Sequence, residues 1–285
     1  VIPSSFDYIQ ATTVEEAIQL LQETNGEGKL IAGGHSLIPL MKFRLTSPSK
    51  LIDIAQIAEL RGIKLENQRL IVGALTTHRD LCKSSLVQEQ IPVLAETARQ
   101  IGDLQVRSRG TVGGNIAHAD PAADLPGVAL ALDCTVTWHG EEGTEQAQAE
   151  DFFLGPLITA LPENSVLTSV SFAVPPKHAK SVYLKFPHPA SGYAVIGVCV
   201  LVGKNEQGAI DFIRVAINGV SDMAYRAVSV ENALLGEQAT EANVLKAAAQ
   251  AARDAEMGED LFASAEYRQQ LCRVYTKRAL SQVLL

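Results

Sequence analysis

Apolar residues take helical spacing first between residues 14 and 21, where Val14, Ala17, Ile18 and Leu21 share one face. Thr13 stands before them and Glu16 follows three residues later, the pattern of a capping box, and Asn25-Gly26 ends the helix. The pattern then shifts to short apolar runs of strand type, Lys29 to Ala32, Leu51 to Ile54 and Arg69 to Ala74. Leu94, Ala98 and Ile101 predict a helix closed by Gly102. Thr135 to Trp138 and Val166 to Phe172 predict further strands. The longest apolar run, Tyr193 to Val202, is well short of the roughly 20 residues that span a bilayer and predicts a buried strand. Gly203 to Gly208 predicts a turn, and Phe212 to Ile217 the strand that follows it. From Arg226 onward the chain is alanine-rich and helical, interrupted at Gly236 and Gly258.

Strand runs followed by helices, with no internal repeat, predict an α+β fold rather than a regular doubly wound sheet. Pro175-Pro176 is the clearest boundary signal. We therefore expect a first domain over 1–175, with subdomains at about 1–55 and 56–175, and a C-terminal domain over 176–285. A net charge of −8 argues against a nucleic-acid or anionic-membrane partner. The N-terminal residues show no basic stretch leading into an apolar one, so the expected location is the cytoplasm. Cys82, Cys134, Cys199 and Cys272 are widely spaced, which suits small buried residues and not the converging thiolates of an iron–sulfur cluster.

The chemistry is concentrated in two glycine turns. Ala32-Gly33-Gly34-His35-Ser36-Leu37 follows the apolar run ending at Ile31, and Thr111-Val112-Gly113-Gly114-Asn115 comes about eighty residues later. Glycine lets the backbone turn with positive φ or approach a ligand closely, and successive amides in such a turn form an anion site. Two such turns suit a dinucleotide held between two subdomains. Neither fits the G-x-G-x-x-G or G-x-x-x-x-G-K-[ST] pattern, which disfavours a Rossmann or P-loop site. Pro39, close behind the first turn, argues against a long helix starting there.

With their flanks, the segments 32–42 and 109–126 resemble the FAD-binding, medium subunits of molybdenum hydroxylases, a family that includes aerobic carbon monoxide dehydrogenase and the flavin domain of xanthine dehydrogenase. The resemblance runs from Ile2-Pro3 to the helical tail. It implies a vanillyl-alcohol-oxidase-like FAD-binding fold with a C-terminal sheet-plus-helices domain. It implies that backbone amides of both turns hold the pyrophosphate, with Ala32, Gly33, Gly34, His35, Ser36 and Leu37 on one side and Thr111, Gly113, Gly114 and Asn115 on the other. By the same resemblance Asp124 accepts from a sugar or ribityl hydroxyl, Lys185 lies beside the flavin and favours its reduced form, and Leu167 makes an apolar contact. Ile101 and Tyr193 fall where relatives shield the isoalloxazine ring, and His78 lies in a segment near the FAD. Arg107 and Arg109 either orient the second turn or face a partner.

The resemblance also implies a place in a complex. A large subunit would hold molybdopterin, and a small one the two-iron two-sulfur clusters, in a heterotrimer doubled to a dimer of heterotrimers. This chain would carry non-covalent FAD and pass electrons to an external acceptor, with no metal of its own and no substrate-oxidising residues. The alternative is a self-contained flavin oxidase or reductase of the same fold, in which His35 bonds covalently to the flavin. His118 and Asp120 are too few for a metal site.

Overall fold

The computed structural model describes residues 2–285. The first unit comprises β1 Asp7–Gln10, α1 Val14–Glu23, β2 Gly28–Ile31, α2 Leu37–Lys42 and β3 Lys50–Asp53. Its strands pair in parallel in the order β1-β3-β2. The apolar stripe of α1 buries Val14, Ala17, Ile18, Leu20 and Leu21 in a core with Ile52, Ile54 and Leu75. Thr13 Oγ1 caps this helix by accepting from the Glu16 amide at 3.1 Å. The Glu16 carboxylate accepts from the Thr12 amide at 2.7 Å, so the reciprocal arm of the box reaches one residue further back than the pattern implies. α2 is only six residues long, and Pro39 sits in its first turn, where a missing N–H costs no helical hydrogen bond.

The second unit begins with the hairpin β4 Ile63–Glu66 and β5 Arg69–Gly73. Six helices follow: α3 His78–Lys83, α4 Ser85–Gln90, α5 Pro92–Gln100, α6 Leu104–Arg109, α7 Val112–His118 and α8 Asp124–Ala131. Then come β6 Thr135–Gly140, β7 Gly143–Gln148, α9 Ala149–Phe152, the small ribbon β8 Phe153–Gly155 and β9 Ile158–Thr159, and β10 Val166–Ala173. An antiparallel sheet forms in the order β4-β5-β10-β6-β7. The register of β10 against β6 shifts between Leu167 and Ser169, and Thr168, left at the bulge, accepts from the Ala74 amide at 2.9 Å. Such a bulge bends the strand and re-aims the side chain beside it, here Leu167.

The third unit is the antiparallel sheet β11 Lys180–Pro187, β12 Ala194–Lys204, β13 Ile210–Asn218 and β14 Tyr225–Arg226, with α10 Val228–Leu234, α11 Glu241–Ala248 and α12 Ala265–Leu284. β12 is buried from Ala194 to Gly203 because both of its faces are covered, one by α8 and the other by α12. Val198, Val200 and Val202 join the core under α12, while Cys199 and Leu201 join the core of the second unit. A strand covered on both faces loses the alternation of a half-exposed one, which accounts for the unbroken apolar run. Among the described residues no helix is long and apolar enough to cross a membrane.

Candidate functional site

The first glycine turn links β2 to α2. Gly34 takes φ +72°, a conformation that favours glycine, and reverses the chain. Among the described residues, no acceptor meets the amides of Gly33, Gly34, His35, Ser36 or Leu37. Five successive unpaired donors around a concave turn form an anion-binding surface. The His35 ring bends back so that Nδ1 lies 2.9 Å from the Gly33 carbonyl.

The second turn works differently. Thr111 is the N-cap of α7, and its Oγ1 accepts from the Gly114 amide at 3.1 Å. The Val112 amide goes to Thr76 O at 2.9 Å, Gly113 to Ala74 O at 2.8 Å, and Asn115 to Thr111 O at 3.0 Å. The expectation that both turns offer backbone amides therefore needs correction. This turn is a helix start, and its donors are consumed in capping α7 and tying it to the segment after β5. Gly113 is glycine because Ala74 fills the space of a Cβ. What the turn presents to a ligand is the exposed Gly114 backbone, the Thr111 hydroxyl and Asn115, whose buried Oδ1 has no partner. Gly33 in turn rests on the backbone of Arg109 and Gly110, so the two motifs meet main chain to main chain.

Between them lies a cavity of about 620 Å³. Its walls include all sixteen expected residues: Ala32 to Leu37, His78, Ile101, Thr111, Gly113, Gly114, Asn115, Asp124, Leu167, Lys185 and Tyr193. The size lies within the range of roughly 300–1,000 Å³ for ligand clefts. His78 opens α3 and is buried, with Nδ1 unpartnered. Burial, helped by the charges of His35 and Arg107, holds its pKa down at about 4, so the ring is neutral near pH 7. Arg107 donates to the carbonyls of Ile101 at 2.8 Å and Gly102 at 3.0 Å, fixing the end of α5 where Ile101 lines the cavity. Tyr193, 42% exposed, stands near Ser36 and Asp120 in the connection between β11 and β12, and burial raises its pKa.

Asp124 and Lys185 form one buried pair. Lys185 Nζ donates to Asp124 Oδ2 at 2.7 Å and to Gln100 O at 3.2 Å, and the Tyr183 hydroxyl donates to Asp124 Oδ1 at 2.5 Å. Asp124 is the first residue of α8, yet its carboxylate turns to β11 and not to the amides of its own helix. Burial raises its pKa, and Lys185 and Tyr183 oppose that rise. Sequence reasoning missed Tyr183 and Gln100. The strand period was a usable signal for Tyr183, since residues 183 and 185 of one strand share a face. Thr159, Leu161 and Ser165 also line the cavity, and no motif marks them.

Asp120 Oδ1 accepts from the Ala122 amide at 2.9 Å. Ala194 and Gly219 donate to the carbonyls of Ala122 and Pro121, which anchors this loop to the third unit. Asp120 thus shapes the loop leading to Asp124, while His118 lines the cavity. Among the described residues no group of three or more His, Cys, Asp or Glu converges on a metal position. The four cysteines are unpaired, three buried and Cys82 half-buried.

The set fits a dinucleotide: unpaired amides on one wall to donate to the pyrophosphate, an unpartnered buried acceptor, Asn115 Oδ1, to receive a ligand hydroxyl or amine, and an ion pair further along. Comparison with known proteins agrees. Residues 4–175 match the model of the FAD binding domain in molybdopterin dehydrogenase, and residues 181–283 that of the CO dehydrogenase flavoprotein C-terminal domain. The chain is 38% identical over 280 residues to the carbon monoxide dehydrogenase medium chain of Hydrogenophaga pseudoflava, covering 98% of this chain and 97% of that one. It is 33% identical over 282 residues to subunit alpha of the 6-hydroxypseudooxynicotine dehydrogenase complex of Paenarthrobacter nicotinovorans, covering 99% and 95%. A solved structure of the Hydrogenophaga pseudoflava carbon monoxide dehydrogenase superposes with a TM-score of 0.96 at 38% identity, covering 99% of this chain and 98% of that one. The chain belongs to the FAD-binding, medium-subunit family of the molybdenum hydroxylases and is an oxidoreductase subunit whose cofactor is FAD.

Proposed function

We propose that this chain takes electrons from iron–sulfur clusters of a small partner subunit and delivers them to an external acceptor, while a large molybdopterin subunit oxidises the substrate. The observation that carries this reading is the row of unpaired amides from Gly33 to Leu37 on the wall of a cavity of about 620 Å³. FAD, when bound, supplies the exchange of electrons, and the chain's residues bind and orient it. The first turn would neutralise the pyrophosphate. Thr111 and Asn115 would hold its other side through side chains, and the Asp124–Lys185 pair would face the ribityl and flavin part. Ile101, Leu167 and Tyr193 would shield the ring from water, and neutral His78 would line the cavity without adding charge.

The complex would be a dimer of heterotrimers in the cytoplasm, where unpaired cysteines persist as thiols. A division after residue 175 belongs to the same proposal, supported by family models that meet between residues 175 and 181. His35 would leave the FAD non-covalent. Acid precipitation then releases the yellow colour to the supernatant, and colour kept in the pellet would instead favour the self-contained oxidase. The decisive experiment follows the bleaching of cluster and flavin bands by substrate in the purified complex, before and after removal of FAD. Loss of FAD should leave cluster reduction intact and abolish turnover with the natural acceptor. Oxidation of an organic substrate by the isolated chain would overturn the reading.

A further inference from the structure

The Asp124–Lys185 pair has a third member that does not line the cavity. Tyr183 is 1% exposed, and its hydroxyl fits only because residue 197 on β12, which pairs with Lys185 two positions along β11, is glycine. The hydroxyl donates to Asp124 Oδ1, which leaves Oδ2 for Lys185. Asn218 Oδ1 lies 3.4 Å from the same hydroxyl, too long to compete. Lys185 Nζ has three protons. Two go to Asp124 and Gln100, and among the described residues the third meets no acceptor, although Lys185 is part of the cavity wall.

We propose that Tyr183 is a positioning residue: its hydroxyl holds Asp124 as the ionised partner of Lys185, and so sets both the aim of the one unshared lysine proton and the net charge this wall presents to the flavin. This rests on the placement of Lys185 beside the flavin. With Asp124 ionised the wall is neutral, and the lysine acts as a directed donor. With Asp124 protonated the wall carries a full positive charge, which favours the reduced flavin. A hydrogen bond donated to a carboxylate favours its ionised form. The tyrosine therefore keeps the wall neutral to lower pH than burial alone would allow. The other titratable groups around this cluster are Glu96 on α5 beside the Tyr183 backbone, Cys199 on β12, and Tyr193 across the cavity.

The experiment measures the midpoint potential of the flavin in the intact complex across roughly pH 5 to 9, reaching above the ordinary carboxylate range because burial raises the Asp124 pKa. Four forms are compared: the parent, Tyr183→Phe, Asp124→Asn and the double variant. Relative to the parent, Tyr183→Phe should show a positive shift that vanishes at high pH, grows as pH falls through its own Asp124 midpoint, and closes again once Asp124 of the parent is protonated too. Its midpoint should lie about one to two pH units above that of the parent, the worth of one hydrogen bond to a charged group. In the Asp124→Asn background the same substitution should add no pH-dependent shift. A pH-independent difference for Tyr183→Phe, or one that survives in Asp124→Asn, would overturn the proposal. Lys185→Met placed in the Asp124→Asn background separates this from failure of the underlying placement, because it removes the lysine charge with no carboxylate left to compensate by taking up a proton. If that variant leaves the potential of Asp124→Asn unchanged, the lysine is not beside the flavin. If it lowers the potential while Tyr183→Phe matches the parent at every pH, only the positioning role is lost.

Discussion

Gly33 lies directly on the carbonyl oxygen of Arg109, with no room between them for a side chain. This contact joins the turn that offers free amides to the helix that leads into the second motif. Gly33→Ala should force the two segments apart. Overpacking of this kind costs about 1–3 kcal/mol. We expect a lower urea midpoint together with loss of FAD, because the five amides would no longer face Asn115. A variant with normal stability and full FAD content would show that the two segments are not coupled here.

Gly114 separates binding from folding. A Cβ there would meet only Thr111 Oγ1, at 2.8 Å, and otherwise open space. Gly114 also lies in the first turn of α7, where alanine is a better helix former than glycine by roughly 1 kcal/mol. Gly114→Ala should therefore fold with stability close to the parent, the helix gain offsetting a strained Thr111 cap, while Gly114→Val should lose about 0.5–2 kcal/mol because its branched side chain displaces the capping hydroxyl. Both should bind FAD more weakly, valine the more so, because the new side chain projects into the cavity. Flavin fluorescence titration alongside urea unfolding separates the two effects, and unchanged FAD affinity in a folded Gly114→Val chain would remove the second turn from the site.

Much of this arrangement was legible in the sequence because glycine turns and apolar runs leave local marks. The β12 run, the α1 cap and the break at Gly102 follow from propensity and pattern, and each appears within a residue or two of the expected place. The division of labour between the turns did not follow. Both read as Gly-Gly beside a hydroxyl, but one keeps its amides free while the other spends them on Ala74, Thr76 and its own cap. That difference depends on which segment packs alongside, a tertiary fact that no spacing encodes. The Asp124–Lys185 pair is 61 residues apart and joins a helix start to a strand, so each looked like an independent contact to the cofactor. Strands β1 and β4 escaped notice because they carry exposed residues at almost every position.

His78 makes stability depend on pH. Its folded-state pKa, about 4, lies below the value near 6.5 of an exposed histidine. The unfolded chain therefore binds the extra proton first, and stability contributed by the neutral ring is full above about pH 6.5 and is lost as pH falls toward 4. The loss attributable to this one group is on the order of 3 kcal/mol once both states are protonated. Urea unfolding of the parent and His78→Phe at a series of pH values should show a difference that narrows as pH falls across this window. A constant difference would mean the ring is not held neutral by burial.

The ion pair gives a sharper test, since its two members are each almost fully enclosed. Removing one partner of a buried pair leaves the other uncompensated and costs about 3–5 kcal/mol, whereas removing both is often close to neutral. Lys185→Met should therefore destabilise the chain more than the double variant with Asp124→Asn, a coupling that a double-mutant cycle reads directly. The pH dependence of the single variant follows from the same logic. Without Lys185, burial raises the Asp124 pKa further above its unfolded value, so the folded chain takes up the proton first. Lys185→Met should regain stability as pH falls from neutrality toward the ordinary carboxylate range, and the double variant should show no such recovery. If the two substitutions prove additive, Asp124 and Lys185 are not energetically paired, and the lysine would then stand as an independent charge on the cavity wall.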